Sequence, residues 1–179
     1  YGVSVEKVEE ALKAIEYPGV VSVQIIFNMF RQRPAALFFQ EAKRRNVAVI
    51  ARVPLASGLL SGKITAATQF AAEDHRNFNR NGEAFDVGET FAGVPFETGL
   101  AAVEEVRKLV PEGASMAQFA LRWILMHEAV TVVIPGARNG EQAKANAAAS
   151  DLAALSVDVM AASREVYERL IAPHVHNRW

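Results

Sequence analysis

The stretch Val47-Ala48-Val49-Ile50-Ala51-Arg52-Val53-Pro54-Leu55-Ala56-Ser57-Gly58-Leu59-Leu60-Ser61-Gly62-Lys63 decides the fold. Of its first seven residues all but Arg52 are apolar, most of them β-branched, which predicts a strand buried on both faces, as parallel strands are. Pro54 breaks the run, and two glycines, two serines and a lysine follow at once. Upstream, Pro34 opens a helix predicted over Ala35 to Arg45, whose basic last turn suits a helix C-terminus. Before it, Val20 to Asn28 reads as another continuous strand. Ser4 is placed to cap a helix carrying Val8, Ala11, Leu12 and Ile15 at helical spacing, stopped by Tyr17-Pro18-Gly19. Downstream, helical patterns cover Gly99 to Leu109 and Ser115 to Met126, followed by a strand over Val130 to Ile134. Further helices are predicted over Asn139 to Ala148 and Val157 to Leu170. The stretch between Lys63 and Thr98 is too long for a simple connector and predicts a functional loop or lid.

This alternation calls for a parallel sheet wrapped by helices. A complete (β/α)8 barrel takes about 250 residues. Four βα units in 179 residues therefore read as half a barrel, in one domain over 1–179. An open doubly wound sheet would want a Gly-x-Gly-x-x-Gly turn after a strand, and the sequence has none. The chain opens on Tyr1 within what reads as the end of a strand, so it is expected to be the later part of a longer protein.

Two segments carry chemistry. In Pro54 to Lys63, Gly58 and Gly62 let backbone amides approach a ligand, Ser57 and Ser61 offer hydroxyls, and Lys63 offers a charge, a combination that suits a phosphate. The same spacing also serves an ordinary glycine-punctuated loop. In Ile134-Pro135-Gly136-Ala137-Arg138-Asn139-Gly140-Glu141-Gln142, Asn139 is placed as an N-cap with Gln142 completing a capping box, and Arg138 lies beside that positive helix end. An anion such as a 2′-phosphate would meet both. Gln142 and Asn146 share a helical face and could reach an adenine, although from the residues alone a cap and a solvent contact are the favoured account.

Other classes are excluded by composition. With 19 basic against 20 acidic residues and no basic block, the chain lacks the footprint of a nucleic-acid or anionic-membrane partner. It has no cysteine, which removes thiolate chemistry and points to a reducing compartment, the cytoplasm by default. No apolar run approaches the roughly 20 residues of a membrane helix. His174-x-His176 has no third ligand at useful spacing, so no metal site is expected. Trp123 is expected in the core, and Trp179 either packs back on the barrel or frays.

The two segments together resemble motifs of the aldo-keto reductases, in the right order. Gly2-Val3-Ser4 and Val23-Gln24-Ile25-Ile26-Phe27-Asn28 match at two further strand ends. The resemblance covers essentially the whole chain and implies strands five to eight of that family's barrel, with a C-terminal helix after it. It also implies NADPH as cofactor and a small-molecule aldehyde or ketone as substrate. By the same resemblance Ser4 and Gln24 hold the nicotinamide carboxamide. Arg52 stands where the family usually has an aromatic residue on the nicotinamide, and a cation there would disfavour the oxidised cofactor. Pro54, Leu55, Ser57, Gly58 and Lys63 form the pyrophosphate belt, while Gly136, Arg138, Gln142 and Asn146 hold the 2′-phosphate and adenine. Val5 and Ala145 depart from the family's usual Asn and Glu. Arg76 or Arg80 in the long loop could add an adenosine or phosphate contact, but the loop gives no register and solvated surface is the expectation for either. The family's catalytic Asp, Tyr, Lys and His belong to strands one to four, so no catalytic residue is expected here. The alternatives are an NADPH-binding sensor without turnover, as in potassium-channel beta subunits, and a half barrel that self-associates.

Overall fold

The structure, a computed structural model, describes residues 1–179. Four strands form its only sheet: β1 (Gly2–Ser4), β2 (Ser22–Ile26), β3 (Ala48–Arg52) and β4 (Val130–Val133). They lie in the order β1-β2-β3-β4, every pair parallel, so each strand lies beside its predecessor in the chain. Parallel neighbours need long crossovers, and helices supply them. These are α1 (Val8–Ala14) between β1 and β2, α2 (Phe38–Arg44) between β2 and β3, and α3 (His75–Phe78), α4 (Phe96–Arg107) and α5 (Met116–Leu125) between β3 and β4. After β4 come α6 (Gly140–Ala147), α7 (Val157–Val166) and α8 (Ala172–Val175). This is the predicted α/β architecture. No helix is long and apolar enough to cross a membrane.

The expectation that the strands are buried on both faces is corrected. Through most of β2 and along β3 burial alternates: Val23, Ile25, Val49 and Ala51 are at most 1% exposed, while Ser22, Gln24, Ala48, Ile50 and Arg52 are only half-buried, and Ile26 at the end of β2 is buried as well. Helices cover one face, and the other lacks a second layer. The covered face joins a core in which Phe27 packs on Phe39 and Trp123 at centroid distances of 4.7 and 5.3 Å. A continuous apolar run records hydrophobicity, and cannot record how many faces find a partner.

Helix boundaries shift for local reasons. Ser4 is not the cap of α1: it still lies in β1, and its hydroxyl accepts from Gln24 at 3.1 Å. The Glu10 carboxylate closes that helix start, accepting from the N–H groups of Glu6 and Lys7. Pro34 opens a 3-10 turn, Arg33–Ala35, and α2 begins only at Phe38. The last predicted helix widens into a π-turn at Tyr167–Ile171, with Pro173 in the first turn of α8 beyond it. The segment between Lys63 and Thr98 is an ordered loop holding α3 and two 3-10 turns.

Ser115, where the predicted helix begins, caps α5 (Met116–Leu125). Its Oγ accepts from Gln118 N–H at 3.2 Å, and Gln118 Oε1 accepts from Ser115 N–H at 3.1 Å. Ser115→Ala should lower stability by about 1 kcal/mol, the usual worth of such a cap, measurable by urea denaturation.

Candidate functional site

The chain leaves β3 through a turn that no ordinary backbone would choose. Val53, Ala56 and Ser57 take φ values of 52, 47 and 53°, and Gly58 follows at 98°. Across from them Phe91 and Ala92 have φ values of 53 and 59°. Apart from Asn46, every non-glycine residue with positive φ lies in these two segments. Left-handed backbone is uncommon outside glycine and tends to gather at functional sites. Side chains hold the geometry. Asn28 Nδ2 donates to Val53 O at 2.9 Å, and Ser57 Oγ donates to Glu89 O and accepts from Phe91 N–H, both at 3.1 Å. Gly58 suits its φ of 98°, which an L side chain rarely adopts, and a Cβ there would press on Ile64 Cδ1 at 3.3 Å.

The turn forms one wall of a cleft of about 750 Å3. Pro54, Leu55, Ser57 and Gly58 share it with Gly136 and Arg138 from the segment after β4, so two motifs some eighty residues apart in the chain meet across one space. Lys63, Ser4, Gln24, Gln142 and Asn146 do not line it. Ser4, the last residue of β1, is the register partner of Gln24 in the middle of β2. Gln142 and Asn146 brace the cleft from behind. Gln142 Oε1 accepts from Arg138 N–H at 2.7 Å, Asn139 Oδ1 accepts from Gln142 N–H at 2.9 Å, and Asn146 Nδ2 donates to Gly136 O at 3.2 Å. The capping box is therefore half formed, with Gln142 reaching one residue further back than predicted.

Arg76 is not solvated surface. It lines the cleft, with its guanidinium fixed on Asp74 (Nε to Oδ1 2.9 Å, Nη2 to Oδ2 2.5 Å), donating to Ser57 O at 3.4 Å and lying 4.5 Å over the Phe70 ring. The Asp74 side chain also accepts from Arg76 N–H and caps α3, and the Arg76 guanidinium holds its carboxyl well below the usual carboxylate range. His75 and Phe85 complete that wall. The sequence signal for this contribution is Asp74-x-Arg76, a cap two residues ahead of a cation, which carries no register on its own. Arg80 lies elsewhere, 4.7 Å over Phe96.

Arg52 is also placed differently from expectation. Its guanidinium donates to Glu6 Oε1 and Glu89 Oε1, both at 2.5 Å, and to Val5 O at 3.2 Å. Two carboxylates thus neutralise the cation, which removes the premise that a bare charge there disfavours an oxidised nicotinamide. Burial pushes the Glu6 carboxyl up to about 7, and the adjoining Glu89 carboxyl adds to the rise against the pull of Arg52.

No group of three His, Asp or Glu side chains converges to hold a metal ion. His176 Nδ1 instead pairs with the Tyr167 hydroxyl at 2.8 Å.

Comparison with known proteins places these features. The profile of the aldo/keto reductase family matches residues 1–168, and the chain belongs to that family. L-glyceraldehyde 3-phosphate reductase of Escherichia coli O157:H7 is 32% identical over 120 residues, covering 66% of this chain and 33% of that protein. A probable voltage-gated potassium channel subunit beta of Arabidopsis thaliana is 26% identical over 167 residues, covering 88% of this chain and 47% of that one. Among solved structures, a glycerol dehydrogenase from Gluconobacter oxydans superposes with a TM-score of 0.73 at 27% identity, covering 99% of this chain and 50% of its own. The holo form of an aldo-keto reductase from Bacillus halodurans gives 0.67 at 20% identity, covering 93% and 49%, a likeness of fold. The chain spans half the length, or less, of these relatives.

Proposed function

We propose that this chain is the cofactor-binding half, strands five to eight, of an NADPH-dependent carbonyl reductase that works in the cytoplasm. The observation that carries the reading is the shared cleft, where the turn after β3 and the segment after β4 line one space with Arg76 and Arg138. That donor set fits a dinucleotide. Arg138 offers a planar fork to phosphate oxygens, whereas Arg76, whose Nε and Nη2 are held by Asp74, presents only its remaining N–H groups. Gly58 permits close backbone approach, and the N-terminus of α6 adds a positive dipole end. NADPH, when bound, supplies the hydride for an aldehyde or ketone.

The chain's own residues then divide the work. Arg76 holds the pyrophosphate side together with Pro54, Leu55, Ser57, Gly58 and Lys63. Arg138 neutralises the 2′-phosphate, and Gln142 and Asn146 hold the loop that presents it, so their amides act on the protein rather than directly on an adenine. Ser4 and Gln24 serve the carboxamide. Proton delivery belongs to the family's Asp, Tyr, Lys and His on strands one to four. Tyr167 is no substitute, because burial pushes its hydroxyl up to about 12 and His176 occupies it.

The test is a fluorescence titration with NADPH and NADH, on the chain and on a protein in which strands one to four are joined to it. Arg138→Ala should weaken NADPH about tenfold, the worth of one exposed charged hydrogen bond, and leave NADH unchanged. Failure of the joined protein to bind NADPH would overturn the reading. The likeness to a channel beta subunit over 88% of the chain supports a second reading, cofactor binding without turnover. The joined protein would then bind NADPH and reduce no carbonyl. The half-covered sheet and its free β1 and β4 edges call for the missing half or a second copy of the chain, which sedimentation of the isolated chain distinguishes.

A further inference from the structure

The cleft has an aromatic side. His75 and Phe85, both from the loop between Lys63 and Thr98, line it together with Arg76, Gly136 and Arg138. Phe85 is 42% exposed, and Phe78, whose ring meets it at 6.1 Å with the planes almost perpendicular, is 44% exposed. The His75 ring lies 6.4 Å from Phe85, its plane tilted by 35°. Other phenylalanines of this segment are covered: Phe91 is 1% exposed, and Phe70 and Phe96 pack on it at 6.0 and 5.1 Å. A contiguous aromatic surface left in water marks a binding site.

A buried amide fixes where Phe85 is presented. Asn79 has no exposed surface; its Oδ1 accepts from the N–H groups of Ala84 and Phe85 at 2.8 and 2.9 Å, and its Nδ2 donates to the buried Thr90 hydroxyl at 3.1 Å. The backbone of Phe85 is thus tied to the interior while its side chain stays outside the core, which pre-organises an aromatic face for a ligand. A dinucleotide has two rings that could use this face. Ser4 and Gln24, assigned above to the carboxamide, do not line the cleft, whereas Arg138, assigned to the 2′-phosphate on the adenosine ribose, does. The cleft therefore takes the adenosine half. Gln142 and Asn146 are engaged with Arg138 N–H and Gly136 O, which leaves the adenine without a partner on α6. Stacking needs no donor or acceptor, only a π face. We propose that Phe85 is the face on which the adenine stacks, with His75 beside it, an assignment that rests on the NADPH reading of the cleft.

Calorimetric titration of NADPH and of adenosine 2′,5′-bisphosphate into the full chain, and into the protein joined to strands one to four, tests the stack. Phe85→Ala and Phe85→Leu should each weaken both ligands about tenfold, the worth of one base stacked on an aromatic ring. Phe85→Trp keeps a π face and should bind both as well as the wild type does. Its added indole emission should be quenched as the bisphosphate saturates, read against a wild type whose own Trp123 and Trp179 are buried. Leucine restores bulk without a stack, so a loop merely deprived of packing would be rescued by Phe85→Leu. That rescue, unchanged affinity in Phe85→Ala, or saturation without quenching in Phe85→Trp would overturn the stack and leave the cofactor reading standing. A wild type that binds neither ligand, alone or joined, would overturn the cofactor reading and the stack together.

Discussion

Trp179→Ala is expected to cost about 3–5 kcal/mol, the range for removing a buried tryptophan, seen as a lower urea midpoint with an unchanged slope. The side chain is 3% exposed. Its indole N–H donates to Asp86 Oδ1 at 2.9 Å, and the Arg31 guanidinium lies 4.0 Å over its ring. Arg31 is itself buried and donates to Ala92 O at 3.0 Å and Gly88 O at 3.3 Å. Burial lowers its guanidinium to about 10. Loss of the indole therefore leaves a cavity, frees Asp86 and uncovers a charge in one step. Gly93 shows how close the packing is, because a Cβ there would fall 2.5 Å from the indole. Trp179→Phe keeps a ring but loses the bond to Asp86, and should cost roughly half as much. A loss below about 1 kcal/mol for the alanine variant would show that the C-terminal residue does not anchor the loop between Lys63 and Thr98.

The second large effect belongs to Arg52. Arg52→Met leaves Glu6 and Glu89 facing each other without their cation. Removing one member of a buried pair costs about 3–5 kcal/mol, and the partial exposure of both carboxylates (35% and 28%) reduces this to about 2–3 at pH 8. The pH dependence has a definite sign. Glu6 is raised from an ordinary 4.5 to about 7 in the folded protein. The native state therefore keeps a proton that the unfolded chain releases between those values, and this contribution to stability is lost as pH rises through 7. Without Arg52 the carboxyl rises further and the decline steepens, so the variant should approach wild type at pH 5 and fall furthest behind at pH 8. Glu6→Gln should flatten the wild-type profile over the same window. A pH-independent cost for Arg52→Met would contradict the ion cluster.

Much of the fold was legible in local chemistry. The helical spacing from Ser115 to Met126, Asn139 before α6 and the β-branched runs each name an element from a few neighbouring residues. The meeting of the two motifs in one cleft was legible too, because each follows a strand and strand ends of a parallel sheet share one side. What the sequence did not show depends on distant partners. Arg52 finds Glu6 and Glu89 at separations of 46 and 37 residues, and Trp179 finds Asp86 at 93. Arg76 looked like surface because Phe70, Asp74 and Ser57 surround it only once the loop has folded back. Gln142 and Asn146 had the spacing for a ligand face, yet their nearest polar partners are backbone groups of the preceding loop.

The left-handed residues between Val53 and Ala92 have a thermodynamic side. Non-glycine residues in this conformation each carry on the order of 1 kcal/mol or more of conformational strain, and here they come in two facing groups joined by Ser57. The Ser57 hydroxyl, bridging Glu89 and Phe91, joins the two groups, so the strain of both is set against the same pair of hydrogen bonds.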